Sequence, residues 1–210
     1  MRFPLAFVVF ISSAAALAQS PLPFPSPSPT PPAAPPAFVA TCNSCHGVSG
    51  MAVADIYPHL AAQKSEYMVT QLNAFRSKTR NNPGSEIMQS MAAQLSDGDI
   101  QAVAAYFASL KLTPKTVTHS EADIELGQNL FFNGKPEANI SACTACHGLS
   151  AKGNKNIPRL AGQNASYLMS QLQWFQEDKR ISEGGVMNYM IKGLTAEEIK
   201  ALANFLESLN

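Results

Sequence analysis

The hexapeptide CNSCHG at residues 42–47 returns as CTACHG at 143–148. In each copy two cysteines stand three positions apart, and a histidine follows the second directly. On one helical turn, positions i, i+3 and i+4 share a face, so both thiols and the imidazole point the same way. Two thiols so placed can add to the two vinyl groups of one haem while the imidazole reaches its iron, which is the pattern of covalent haem c attachment. Cys42 and Cys45, and again Cys143 and Cys146, are therefore expected to hold haem c, two groups per chain, with His46 and His147 as axial ligands. These motifs use all four cysteines of the chain. A zinc site would place its second Cys pair roughly 15–20 residues on, far short of the step from Cys45 to Cys143. A thioredoxin-like redox pair would need a βαβ pattern around it, and structural disulfides would leave the two histidines unexplained.

Around the motifs the repeat continues. PHLAAQ at 58–63 returns as PRLAGQ at 158–163, and Tyr67, Gln71, Leu72, Phe75 and Arg80 return as Tyr167, Gln171, Leu172, Phe175 and Arg180. Met88 and Met91 return as Met187 and Met190, and Leu95, Ile100 and Leu110 as Leu194, Ile199 and Leu209. Repetition at this length marks a duplicated domain. The segment 111–119, KLTPKTVTH, reads as an extended linker, dividing a first domain at 38–110 from a second at 120–210. Within each copy the apolar spacing is helical: Met68, Leu72 and Phe75, then Leu168, Leu172 and Phe175. The closing helices open on capping boxes, Ser96 with Asp99 and Thr195 with Glu198. No run alternates as a strand would, so the fold class expected is all-α, two tandem domains related by duplication.

The amino terminus reads differently. Residues 1–18 have the layout of a secretory signal: Arg2, an apolar run from Leu5 to Ile11, and a small-x-small site at Ala16–Ala18. That apolar stretch is shorter than the roughly 20 residues of a spanning helix, so cleavage and export to the periplasm are expected, with membrane association only through a partner or an uncleaved signal. Residues 19–37 form a Pro-rich spacer; between Pro21 and Ala37, 9 of 17 residues are proline. Fifteen basic residues balance fifteen acidic ones, so nothing points to nucleic acid.

The sixth ligand decides what a haem does. A thioether closes the coordination sphere and suits electron transfer, while an open position suits oxygen or peroxide chemistry. Each copy offers two methionines ahead of its last helix, Met88 or Met91 and Met187 or Met190, and the repeat preserves both spacings. His59 and His119 have no counterpart in the other copy and read as solvated loop residues, with bis-histidine ligation the lesser alternative.

With these motifs in place, the chain resembles the dihaem cytochromes of the c4 class, over about residues 38–210. The likeness rests on CNSCHG…PHLAAQ…Met88…LSDGDI and CTACHG…PRLAGQ…Met187…LTAEEI. It implies two class I cytochrome c domains in pseudo-twofold packing, with haem propionate edges face to face. It implies that Met88 and Met187 are the thioether ligands and that the carbonyls of Pro58 and Pro158 accept the Nδ1–H of the proximal histidines. It also suggests Arg80, Arg180, Tyr67 and Tyr167 as propionate neighbours. The implied function is electron transfer rather than catalysis, with a dehydrogenase or terminal oxidase as redox partner. The alternatives are a cytochrome subunit of a larger dehydrogenase complex and, less favoured, a dihaem peroxidase-like enzyme. The copies also depart from each other. In the second, a helix at about 121–132 carries Gly127, which in this family lets it cross the last helix closely. The first copy has no such glycine, and the prolines up to Pro36 confine its opening helix to about 38–45. Ala62 stands where the second copy has Gly162.

Overall fold

Proline has no N–H to donate and its ring clashes with the preceding turn, so no helix can begin before the end of the proline run. In the computed structural model, which describes residues 36–210, the first helix accordingly opens just after Pro36. This is α1, Val39–His46, and it is followed by α2, Ser65–Arg76, α3, Ser85–Ala92, and α4, Asp97–Ser109. The second copy runs through α5, Glu121–Asn133, α6, Thr144–His147, α7, Ala165–Gln176, α8, Val186–Met190, and α9, Ala196–Ser208. Among the described residues there is no strand, only isolated bridges between Lys135 and Ile140 and between Asn154 and Ile157. The expected signal segment, 1–18, and the spacer up to residue 35 lie outside the described residues.

The closing helices start where their caps dictate. In α4 the Ser96 hydroxyl accepts the Asp99 N–H while the Asp99 carboxylate accepts the Ser96 N–H; Thr195 and Glu198 do the same for α9. Each box satisfies two of the N–H groups that a helix start leaves without partners. The shorter aspartate closes the box as the glutamate does.

Between copies the opening helices differ most. α5 has 13 residues, starts on a Ser120 cap, and lies across α9 with Gly127 against the Ala201 carbonyl. A Cβ at Gly127 would overlap that carbonyl oxygen and come within 2.7 Å of Phe205 Cβ. The close crossing lets Phe131 pack on Phe205, with ring centroids 5.8 Å apart, in a core that also holds Leu130, Leu168, Leu172, Ile199 and Leu206. In the first copy α1 has 8 residues, and Phe38 and Val39 meet a smaller core of Met68, Val103, Ala104 and Phe107. The core around the motif is therefore more complete in the second copy.

No helix runs between Leu110 and Ser120. Leu112 from this segment lies over Gly162, which has φ +69° and donates its N–H to the Leu206 carbonyl. Ala62, the matching residue, takes φ +56°, a region where a Cβ crowds its own carbonyl.

Candidate functional site

Both motif helices stop at a glycine immediately after the histidine. Gly47 and Gly148 take φ of +74° and +77°, and a Cβ on Gly47 would overlap the Met51 carbonyl oxygen. The turn brings the following chain back beneath the histidine. His46 then donates its Nδ1–H to the Pro58 carbonyl at 3.0 Å, and His147 donates to the Pro158 carbonyl at 3.1 Å. Both imidazoles are 7% exposed. Burial holds their pKa below the ordinary histidine value, partly offset by the bond to proline. They are thus neutral, with the proton fixed on Nδ1 and the Nε2 lone pair free for a metal.

Cys42, Cys45 and Cys143 are half-buried, Cys146 is exposed, and none is paired in a disulfide. Burial pushes the Cys143 thiol up to about 11 and raises that of Cys42. Apolar surroundings of this kind suit a thioether better than a thiolate.

The candidate sixth ligands sit on short helices. Met88 and Met91 belong to α3, where Met88 is half-buried and Met91 is 36% exposed. Met187 and Met190 belong to α8 and both pack against the second core. A side-chain amide next to the earlier methionine ties each helix down. Asn188 donates through Nδ2 to the carbonyls of Phe175 and Arg180, at 2.9 and 2.7 Å; Gln89 donates to the Arg80 carbonyl at 2.9 Å. The only trace of this pair in the sequence is an amide one position after the earlier methionine in both copies, Gln89 and Asn188.

Between the copies lies a symmetric polar cluster. Arg80 donates to Gln71 Oε1 of its own copy at 2.8 Å and to Gln171 Oε1 of the other at 3.0 Å, with the Tyr167 hydroxyl at 3.4 Å. Arg180 mirrors it, donating to Gln171 Oε1 at 2.6 Å, Gln71 Oε1 at 3.0 Å and the Tyr67 hydroxyl at 3.1 Å. Each guanidinium also covers its own phenylalanine, Phe75 at 4.4 Å and Phe175 at 4.5 Å. Among the described residues neither has a carboxylate within ion-pair distance. Burial, and then the neighbouring Arg180, disfavour the charge on Arg80. Burial raises the Tyr167 hydroxyl, but the two guanidiniums together carry it below the ordinary tyrosine value. Arg80 is half-buried and Arg180 buried; burial opposes the charge on Arg180 too, but there the two tyrosine hydroxyls outweigh it and favour the charge. The donor set fits a group that brings its own carboxylates to this seam, as haem propionates would.

A second seam joins the copies through the glutamines that end PHLAAQ and PRLAGQ. Gln163 accepts the His59 N–H at 2.7 Å and donates to the His59 carbonyl at 3.0 Å; Gln63 does the same to Arg159, at 2.8 and 2.9 Å.

Two expectations are corrected here. His59 is not a solvated loop residue: it is 5% exposed, and its Nδ1 accepts the Ala52 N–H at 2.8 Å. The loop folds inward because that bond gives an otherwise orphaned amide a partner. His119 is half-buried rather than solvated, with Nε2 2.8 Å from Glu207 Oε2 on α9. The linker is held against the second copy at that point.

The cytochrome c family model matches residues 35–111 and again 124–210. The chain belongs to the cytochrome c family. Within it, this cytochrome is 34% identical over 187 residues to cytochrome c4 of Stutzerimonas stutzeri, covering 82% of this chain and 86% of that one. It is 35% identical to the thiosulfate dehydrogenase electron acceptor of Thiomonas intermedia, over 83% of this chain and 81% of the relative. The solved cytochrome c4 of Acidithiobacillus ferrooxidans superposes with a TM-score of 0.76 at 34% identity, covering 81% of this cytochrome and 99% of that chain. This cytochrome is thus of the c4 class: all-α, two tandem cytochrome c domains, haem c twice per chain, an electron carrier rather than an enzyme. None of its described helices is long and apolar enough to cross a membrane.

Proposed function

We propose that this cytochrome is exported to the periplasm and relays electrons there through two haems closed by histidine and methionine. In this reading the domains span 38–110 and 120–210. Cys42 and Cys45 form the thioethers of the first site, and Cys143 and Cys146 those of the second. His46 and His147 supply the proximal nitrogen, and Met88 and Met187 the distal sulfur. The bound haem supplies a one-electron ferrous–ferric couple; every other contribution is made by the chain.

The observation that carries the reading is the buried imidazole beside each cysteine pair, with Nδ1–H given to a proline carbonyl in both copies. That bond holds the ring plane and raises the basicity of the free nitrogen. The likeness to the c4 class favours the earlier methionine of each pair. Arg80 and Arg180, with Tyr67 and Tyr167, are read as the groups that receive the propionates, because the two guanidiniums, one half-buried and one buried, have no acid beside them among the described residues and the hydroxyls stand next to them.

A dehydrogenase is the favoured electron donor, since a relative of nearly the same length bears the name of an electron acceptor for one. A terminal oxidase is the corresponding acceptor in this scheme. Secretion and attachment are tested together by the intact mass of the purified protein. It should equal a chain beginning near Gln19 plus two haems, and acid–acetone should release neither. A haem-free polypeptide after that extraction would overturn the covalent assignment.

A further inference from the structure

The Pro58 carbonyl and the His59 N–H belong to one peptide unit. The carbonyl accepts the Nδ1–H of His46 at 3.0 Å, and the N–H donates to Oε1 of Gln163, in the other copy, at 2.7 Å. The second copy repeats the arrangement with the partners exchanged. The Pro158 carbonyl accepts from His147 at 3.1 Å, and the Arg159 N–H of the same peptide donates to Oε1 of Gln63 at 2.8 Å. Each chain of bonds therefore begins in one domain and ends at the imidazole of the other.

Both glutamines are buried and their amides cannot turn. Gln163 Oε1 also accepts the Asn164 N–H at 3.1 Å, and Gln63 Oε1 the Lys64 N–H at 2.9 Å. Their Nε2 groups donate to the carbonyls of His59 and Arg159. Each oxygen is thus locked toward the peptide of the opposite domain. A peptide whose N–H is given to a good acceptor becomes a stronger acceptor at its own carbonyl. A stronger bond at Nδ1–H makes the imidazole a better donor through Nε2, and a better donor favours the ferric state.

We propose that Gln163 and Gln63 are positioning residues that set the reduction potential of the haem in the opposite domain, each acting through the proline peptide behind the proximal histidine. The proposal rests on His46 and His147 being the iron ligands. Contact between the domains then does more than hold them together. A partner that loosens the seam raises the potential of both haems, and one that grips a single domain tunes the haem in the other.

The test is a redox titration of the mature dihaem protein, with each haem followed through its own shifted methyl resonances. Gln163→Leu removes the acceptor and should raise the potential of the haem on Cys42 and Cys45. At a fixed applied potential, its reduced-to-oxidised ratio should rise a few-fold. The haem on Cys143 and Cys146 should move much less. Gln63→Leu should give the converse. Gln163→Glu keeps an acceptor oxygen and adds charge, so the same haem should shift the opposite way; this variant also serves if the leucine protein does not assemble. In the ferrous state, the Nδ1–H resonance of His46 should move upfield in Gln163→Leu while that of His147 stays. Shifts confined to the glutamine's own domain, equal shifts at both haems, or no shift would overturn the inference. Failure of the underlying ligand reading would be visible separately, as wild-type protein without histidine-ligated haems.

Discussion

Met88 and Met91 lie one turn apart on α3, and Met187 and Met190 one turn apart on α8, so in each copy only one of two neighbouring thioethers can close an iron. The weak sulfur-to-iron charge-transfer band of the oxidised protein separates them. Met88→Ala and Met187→Ala should each remove about half of the band, whereas Met91→Ala and Met190→Ala should leave it in place. Loss of the band in the later pair alone would transfer the role to Met91 and Met190. The two arginines allow a test with a sign. A cation beside a haem disfavours the ferric state, which carries the extra positive charge. Arg80→Leu and Arg180→Leu should therefore lower the potentials, measured by redox titration; unchanged potentials would leave the arginines as cross-domain ties only. At this scale the cysteine and histidine candidates stand out in the sequence because covalent attachment demands a fixed local spacing, while Pro58 and Pro158 enter only through the likeness to the c4 class. The cross-domain partners of Gln63, Gln71, Gln163 and Gln171 were not, because each is defined by a residue about a hundred positions away. His59 was misread for a related reason: its partner is a backbone N–H, which has no signature in sequence.

The opening helices carry the clearest difference between the copies. Gly127 faces a backbone carbonyl that cannot move aside, so Gly127→Ala should cost about 2 kcal/mol despite the better helix propensity of alanine. Calorimetry or denaturant titration would show it, and a neutral result would mean that α5 rides higher on α9. Ala62 and Gly162 give a paired test of one backbone conformation. Ala62→Gly should gain roughly 0.5–1 kcal/mol, the left-handed strain relieved less the entropy added to the unfolded chain. Gly162→Ala should lose roughly 1–3 kcal/mol, since its Cβ would also meet Leu112. With a shorter first helix and a smaller core, amides of 38–110 should exchange before those of 120–210. Equal or reversed protection would point to compensation at the domain seam. The existence of α2 and α7 could be read from apolar spacing, and the starts of α4 and α9 from their capping boxes. The short helices α3 and α8 could not, because 8 and 5 residues are too few for a periodic face.

For the molecule as a whole, duplication has produced two sites and a seam that both share. Fifteen basic residues, one of them Arg2 in the expected signal, against fifteen acidic ones leave little net charge, so electron transfer to a partner protein should depend only moderately on salt. Stopped-flow rates across ionic strength would check this, and a fall of several orders of magnitude would reveal a charged docking patch. The tandem architecture was legible from the repeat alone. How the domains grip each other was not, since both seams consist of hydrogen bonds between residues that look unremarkable singly. The central claim is that both irons are closed by thioethers and that the protein carries electrons without exposing a vacant position. Carbon monoxide titration of the fully reduced protein at neutral pH tests it most directly. Slow or substoichiometric binding is expected, because the gas must displace a methionine from each haem. Rapid binding of one carbon monoxide per haem at both sites would contradict it.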